Sequence, residues 1–466
     1  MISNNFKSLI LFTLFSSVFI LKGQESISPP NFIFYLADDQ DQLDYGAYGN
    51  PKVHTPAVDQ LAKEGMKFTN FYTSQSICAP SRSQLFTGMY PVKNGCMANH
   101  LPVKKDIKTV IDQLVAEGYE VVLAGKSHVK PNSVFKWTKY FGSIDHRYLP
   151  LDAINSYLAK VKKPFCLFVT SDYPHGPYPK DGDYTKNDTY SLPYSGSNVP
   201  NYKPGYYKNI KSDNTQLEAV LEMVDSHNLR DNSIFIYASD HGISGKWGVS
   251  EQGLKIPFVV RWPGVVAPGT TSQTMLSLVD VLPTFLEITS SKIDKNIDGK
   301  SFYKTLQGDE SAVNDYIFSL ATRQNIQACK VFPTRAVRGK RYKFIRNYNA
   351  LEVYTSNLGK NSVINSFIKL GAESFPKIPY EELYDLENDP YQQNNLIKNS
   401  KFDIVKSQLS QVLHTWMVSQ DDFLILNKMP LIKPTLHPLD RNSKWNKVSK
   451  ENLNELKSND YMKSHY

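Results

Sequence analysis

The chain has 466 residues, 41% hydrophobic and 21% charged, proportions that exclude both a disordered chain and a multi-span membrane protein. Its formal net charge of +8 favours anionic partners, yet the basic residues are spread rather than gathered into a stripe, which argues against nucleic acid. Length alone admits anything from one large α/β domain to about three smaller ones.

At the start, Lys7 precedes an apolar run from Leu9 to Leu21, broken by Thr13 and Ser16-Ser17, and Gly23-Gln24 offers a small residue for cleavage. Residues 1–23 therefore read as a signal peptide. The run is short of the roughly 20 apolar residues that cross a bilayer, so the mature protein is expected in the periplasm or outside the cell, without stable membrane insertion. Export permits disulfides, and Cys78, Cys96, Cys166 and Cys329 admit three pairings. Four cysteines so far apart do not make a disulfide framework.

Four short apolar runs then share one feature. Phe32 to Leu36 ends in Ala37-Asp38-Asp39, and Val121 to Leu123 ends in Ala124-Gly125-Lys126-Ser127-His128. Phe165 to Val169 leads into Ser171-Asp172-Tyr173-Pro174-His175, and Ile234 to Tyr237 into Ser239-Asp240-His241-Gly242. Such runs suit strands buried on both faces of a parallel sheet, where ligands bind beyond the carboxyl ends. Four strands ending in Asp, Lys and His predict one polar site at one sheet edge.

Between them, Thr55-Pro56 followed by Val58, Leu61 and Ala62 predicts a capped helix, and Leu217, Val220, Leu221 and Val224 form a helical stripe. From Gly176 to Lys211 the chain is rich in Tyr, Pro, Gly and Asn with little periodicity, which reads as a long loop. After about residue 320 the pattern changes. Arg335 to Tyr348 alternates, Glu382 to Leu386 is a short strand closed by Asn388-Asp389-Pro390, and Phe402 to Trp416 is helical. The expected architecture is α/β: a large mixed, mostly parallel sheet sandwiched by helices over residues 24–320, and a smaller α+β domain with an antiparallel sheet and a polar tail over 321–466.

Pro80 belongs in the first turn of a helix that runs through Leu85-Phe86 and stops near Gly88. Cys78 then sits just before a helix N-terminus, where free N–H groups and the dipole favour an anion. Local chemistry leaves two other readings open: a buried core thiol, or half of a disulfide with Cys96.

Cys78-Ala79-Pro80-Ser81-Arg82 followed by Thr87-Gly88 resembles the signature of type I sulfatases, members of the alkaline-phosphatase-like superfamily. Asp38-Asp39, Gly125-Lys126-Ser127-His128, Pro174-His175 and Asp240-His241-Gly242 follow in that family's order. Gly245-Lys246, Glu251-x-Gly253, Lys255-x-Pro257 and Arg261-Trp262-Pro263-Gly264 are similar to its second signature region, and Glu382 to Leu396 to its C-terminal segment. The similarity spans about residues 32 to 415. Asn94-Gly95 and the Gly-Lys-x-His-Val-x-Pro form of Gly125 to Pro131 look most like heparan N-sulfoglucosamine sulfohydrolases and related bacterial polysaccharide sulfatases.

The resemblance implies that Cys78 is oxidised to formylglycine by a formylglycine-generating or anaerobic sulfatase-maturing enzyme. One hydroxyl of the aldehyde hydrate would attack sulfur and the other would expel sulfate, a release that an ordinary Ser lacks. Asp38, Asp39 and Asp240 offer hard oxygens that suit Ca²⁺, or less well Mg²⁺, with His241 and residue 78 completing the set. By resemblance Arg82 stabilises the hydrate, and Lys126 and Lys246 hold the sulfate. His128 is assigned the proton taken during sulfate release and His175 the proton given to the leaving group. Lys255 stands where the family carries Arg and reads as support.

Export, positive charge and resemblance point to a sulfated polysaccharide or its oligosaccharides, an algal polymer such as ulvan foremost, with Asn99 and His100 as sugar contacts. Two rivals stand beside this reading. One is a phosphate or phosphonate ester hydrolase of the same superfamily; the other is a non-catalytic polysaccharide-binding protein that uses the tyrosines between Tyr178 and Tyr207 as stacking surfaces.

Overall fold

The computed structural model describes residues 29–180, 182–190, 199–325, 330–348 and 379–426; the expected signal peptide, Cys329, Tyr194 and the polar tail lie outside them. Nine strands form the large sheet: β1 (Asn31–Asp38), β2 (Met66–Tyr72), β3 (Glu120–Gly125), β4 (Lys139–Phe141), β5 (Phe165–Pro174), β6 (Ser233–Ser239), β7 (Lys255–Arg261), β8 (Thr270–Ser272) and β9 (Leu276–Ser277). Their order is β4-β3-β5-β1-β6-β7-β2-β8, with β9 also paired to β2. β7 runs antiparallel to both β6 and β2, and the other pairs are parallel.

Alternation along the strands sorts the core into two layers. Phe32, Phe34 and Leu36 join Val121, Leu123 and Phe168 under helices Cys78–Thr87, Val110–Ala116 and Val281–Ile288. Ile33, Tyr35 and Ala37 join Val122, Leu167 and Val169 under helices Pro56–Glu64, Leu151–Leu158 and Lys203–Ser226. The parallel strands β3, β5, β1 and β6 are adjacent, so Gly125, Pro174, Asp38 and Ser239 close them at one edge.

Two expectations change in detail. The helix Lys203–Ser226 takes up the end of the stretch from Gly176 to Lys211, because its buried face mixes Tyr206, Tyr207 and Ile210 with Asn209, Asp213 and Asn214, and that mixture hides the period. Thr55 does not cap the helix it precedes; its hydroxyl accepts instead from the Gly46 amide at 2.9 Å.

The second sheet is antiparallel, β10 (Ile317–Asn325), β11 (Lys330–Arg338), β12 (Tyr342–Asn347) and β13 (Glu381–Asp385) in sequential order. It starts at Ile317, so the boundary drawn after 320 falls inside β10. Helix Asp403–Ser419 packs Leu409, Leu413 and Trp416 against Leu320, Val337, Phe344 and Leu383. Ala336, Ile345 and Tyr384 meet Tyr72 and Leu254 of the large sheet's side.

Candidate active site

Cys78 is the first residue of helix Cys78–Thr87, one place further in than the sequence reading put it, and Gly88 ends the helix at φ 64. Ile77, at the N-cap, has no side-chain acceptor for the free amides. Asn99 supplies one from outside, its Oδ1 accepting the Ala79 N–H at 3.2 Å. Cys78, Cys96 and Cys166 are all free thiols. The disulfide with Cys96 is thereby excluded; the Cys96 thiol donates instead to the Leu101 carbonyl at 3.0 Å.

Asp38, Asp39, Cys78 and His241 bring one donor atom each to within 4.8 Å of one another, all buried. Cys78 Sγ lies 3.5 Å from Asp38 Oδ1 and 3.4 Å from His241 Nε2. His241 Nδ1 faces the Gly242 carbonyl at 3.2 Å. Its Nε2, 3.2 Å from Asp39 Oδ1, is the ring atom turned to the cluster. Such a set fits a hard divalent cation. Asp240 adjoins the group with both oxygens engaged: Oδ1 takes the amides of Asp39 and His241 at 3.1 and 2.8 Å, and Oδ2 takes Arg82 Nε at 3.3 Å.

Arg82 is wholly buried. It donates to Asp38 Oδ2 at 3.2 Å and to the Lys126 carbonyl at 2.9 Å. Lys126 pairs with Asp38 and with Asp172, the latter at 2.8 Å, and Lys246 forks onto Asp39 at 2.9 and 2.7 Å. Burial opposes the Asp38 carboxylate, but Lys126 and Arg82 outweigh it and hold it well below the usual range. Burial also opposes the charge on Lys126, and Asp38 more than restores it. Four carboxylates (Asp38, Asp39, Asp172, Asp240) thus face three fixed cations (Arg82, Lys126, Lys246). Burial, reinforced by Asp38, pushes the Cys78 thiol well above its ordinary range, so the thiol stays protonated.

Of the histidines, His175 donates Nδ1–H to the Gly176 carbonyl at 2.8 Å and keeps Nε2 3.6 Å from Asp39. His128 has Nε2 3.0 Å from His100 Nδ1, while its Nδ1 is buried with no partner among the described residues. Burial, then Lys126 and Arg82, depress His128 to about 2, so its ring is neutral. Asn99 Nδ2 lies 3.3 Å from His100 Nε2. The two residues expected to touch sugar therefore link the helix N-terminus to His128. Asp39 and His128 both adopt left-handed backbone, φ 67 and 55, a cost that non-glycine residues bear mainly at functional sites.

Sequence reasoning passed over Asp172, which stands in the quoted strand end yet was given no role. It also missed why Gly245 and Gly253 matter. A Cβ on Gly245 would lie 2.1 Å from the Gly253 nitrogen, so only glycine lets the Lys246 loop rest on the Glu251–Leu254 turn.

The geometry has counterparts in known proteins. The Sulfatase family model matches residues 30–291, and that of the N-sulphoglucosamine sulphohydrolase C-terminal region matches 239–358. An ulvan-active sulfatase of Formosa agariphila is 48% identical over 95% of this chain and 92% of its own. Bovine arylsulfatase A is 24% identical over 80% of this chain and 85% of its own. A solved structure in complex with its substrate D-glucosamine-2-N,6-O-disulfate shares the fold at TM-score 0.67 and 19% identity, covering 85% and 99% of the two chains. Phosphonate monoester hydrolase of Agrobacterium radiobacter does so at TM-score 0.67 and 18% identity, covering 84% and 96%. With its family model covering more than half its length and a near relative covering almost all of it, the chain belongs to the sulfatase family, as a type I sulfatase of the alkaline-phosphatase-like superfamily, and is a sulfuric ester hydrolase.

Proposed function

We propose that this protein is an exported, calcium-dependent sulfatase that removes sulfate esters from an algal polysaccharide, ulvan foremost, with residue 78 working as formylglycine. The observation that carries the reading is the convergence of Asp38, Asp39, Cys78 and His241 within 4.8 Å, ringed by Arg82, Lys126 and Lys246. The substrate rests on the relative 48% identical to this chain, an ulvan-active sulfatase. Export rests on residues 1–23 of the sequence; among the described residues no helix is long and apolar enough to cross a membrane.

A thiol pushed up by burial and Asp38 is a poor nucleophile, which favours conversion of Cys78 by a formylglycine-generating or anaerobic sulfatase-maturing enzyme. Once converted, residue 78 supplies a hydrated aldehyde, with one hydroxyl to attack sulfur and one to expel sulfate. Asp38, Asp39, His241 and residue 78 would hold the calcium ion, with Asp240 beside them, and the ion supplies Lewis acidity and a template for sulfate oxygens. Because the four carboxylates exceed the three cations by one, a divalent ion would turn the site net positive for the anionic substrate.

Arg82, locked between Asp38 and Asp240, keeps the carboxylates in place. Lys126 and Lys246, each slightly exposed, turn toward the sulfate and spread its transition-state charge. Neutral His128, with Nε2 beside His100, takes the proton during sulfate release at Nδ1, a role that requires the anionic sulfate to offset the Lys126 and Arg82 charges that, with burial, hold its basicity down. His175, with Nδ1 fixed on Gly176 and its side chain 35% exposed, gives its Nε2 proton to the departing sugar oxygen.

Mass analysis of the peptide around Cys78 from active protein is expected to show the aldehyde or its hydrate; full activity with an intact thiol sinks the mechanism. Chelation is expected to abolish turnover and calcium to restore it better than magnesium. Parallel assays of sulfate and phosphate esters separate this reading from the phosphoesterase one. His128→Ala is expected to accumulate sulfated enzyme, and its absence would refute the role given to His128.

A further inference from the structure

Eight large hydrophobic side chains stand exposed among the described residues, and three of them, Tyr140, Ile144 and Tyr148 at 53%, 51% and 50%, fall within nine residues of one another. A gathered apolar patch on a soluble protein marks a binding surface more often than scattered exposure does. Backbone hydrogen bonds in both directions, 2.8 and 2.9 Å, join Ile144 to Tyr148. The two are therefore directly opposed and share one face of the hairpin. In the turn between them Asp145 and His146 hold left-handed backbone, φ 51 and 57, strain that persists where surrounding contacts dictate it.

Those contacts fasten the turn to the catalytic edge. The Arg147 guanidinium lies 4.1 Å from the Tyr173 ring centroid and donates to the carbonyls of His175 and Pro177 at 3.0 and 3.4 Å. Tyr148 is 5.8 Å from Tyr173, ring to ring. On the other side, the Tyr140 hydroxyl donates to the carbonyl of Gly125, the residue before Lys126, at 3.3 Å. The patch thus reaches from the Lys126 loop to the His175 loop.

We propose that Tyr140, Ile144, Tyr148 and Arg147 form a second sugar-binding subsite that takes the polysaccharide unit next to the one losing its sulfate. The inference rests on the polysaccharide sulfatase reading above. A pyranose ring stacks its C–H face on tyrosine, and a uronate or sulfate on that unit meets Arg147, the side chain best shaped for planar anions.

The test compares a sulfated ulvan oligosaccharide with an aryl sulfate on wild type, Tyr148→Ala and Ile144→Ser. The oligosaccharide reaches the subsite and the aryl ester does not. The ratio of kcat/KM on the oligosaccharide to that on the aryl ester is expected to fall about tenfold, carried by KM, the size of one good aromatic contact. An unchanged ratio, or equal losses on both substrates, overturns the proposal. Calorimetric binding of the oligosaccharide to Cys78→Ala protein, with and without Tyr148→Ala, separates the two readings. Weaker binding with the tyrosine removed supports the subsite even if wild type cleaves neither ester, a result that would sink only the parent reading. Binding indifferent to Tyr148→Ala sinks the subsite whatever the turnover.

Discussion

Among the described residues, two clusters of buried charge make a contrast, one at the carboxyl edge of the large sheet and one where the small sheet meets it. At the seam, Glu251 accepts from Lys343 at 2.8 Å and Arg338 at 3.3 Å, one acid between two cations. Burial opposes its carboxylate, but Lys343 and Arg338 win and hold it at about 2. In the same small sheet Arg335 forks onto Asp422 at 2.5 and 3.1 Å, both wholly buried. At the catalytic edge, by contrast, like sits beside like: burial and the neighbouring Asp38 push Asp240 up, while Asp39 lies against both. Charge is tolerated inside a protein where each group is cancelled. Carboxylates packed against one another, even with each paired to a cation, mark a place where the arrangement serves a ligand.

The contrast breaks most sharply by deletion. Cys78→Ala is expected to cut kcat/KM by about a thousandfold or more with a melting curve close to wild type. Glu251→Ala is expected to do the reverse. It strands Lys343 and Arg338 inside, at a cost of about 3–5 kcal/mol, while folded molecules keep near-normal kcat. Denaturant melts and single-concentration assays on both variants check the pair; a stability loss at Cys78 larger than at Glu251 would dissolve the distinction.

Acid titration sharpens it. The Glu251 carboxyl is lowered from 4.5 to about 2, so its contribution is full above about pH 4.5 and is lost as pH falls through about 2. Alone that shift is worth about 3 kcal/mol. The pair yields less, because burial pushes the Lys343 ammonium down. The stability gap between wild type and Glu251→Gln, followed by circular dichroism, is expected to close across that interval. A gap constant from pH 6 to pH 2 would exclude the ion pair as its source.

The two clusters were also unequally legible. The edge shows itself in sequence because four contributors close apolar strands: Asp38 ends β1, Lys126 follows β3, His175 follows β5 and Asp240 follows β6. The seam does not. Arg335, Arg338 and Lys343 look like exposed basic positions of an alternating hairpin, yet Arg335 and Lys343 are fully buried, because their acids arrive from residues 422 and 251. No spacing along the chain brings such pairs together. The start of helix Lys203–Ser226 was hidden too, because buried polar groups blur its stripe.

Asn99 lies between the two kinds of region, and the smallest predicted effect decides to which it belongs. Its Oδ1 caps the Ala79 amide and its Nδ2 holds His100, which in turn meets His128. As a cap, Asn99→Ala is expected to lose about 1 kcal/mol of stability, and Asn99→Asp to recover it, since a carboxylate suits a helix N-terminus. As a sugar contact, both substitutions would instead raise KM on oligosaccharide and leave the melting temperature alone. The geometry favours the first outcome. The amide oxygen already accepts from the helix, and losing it exposes the N-terminus that carries residue 78.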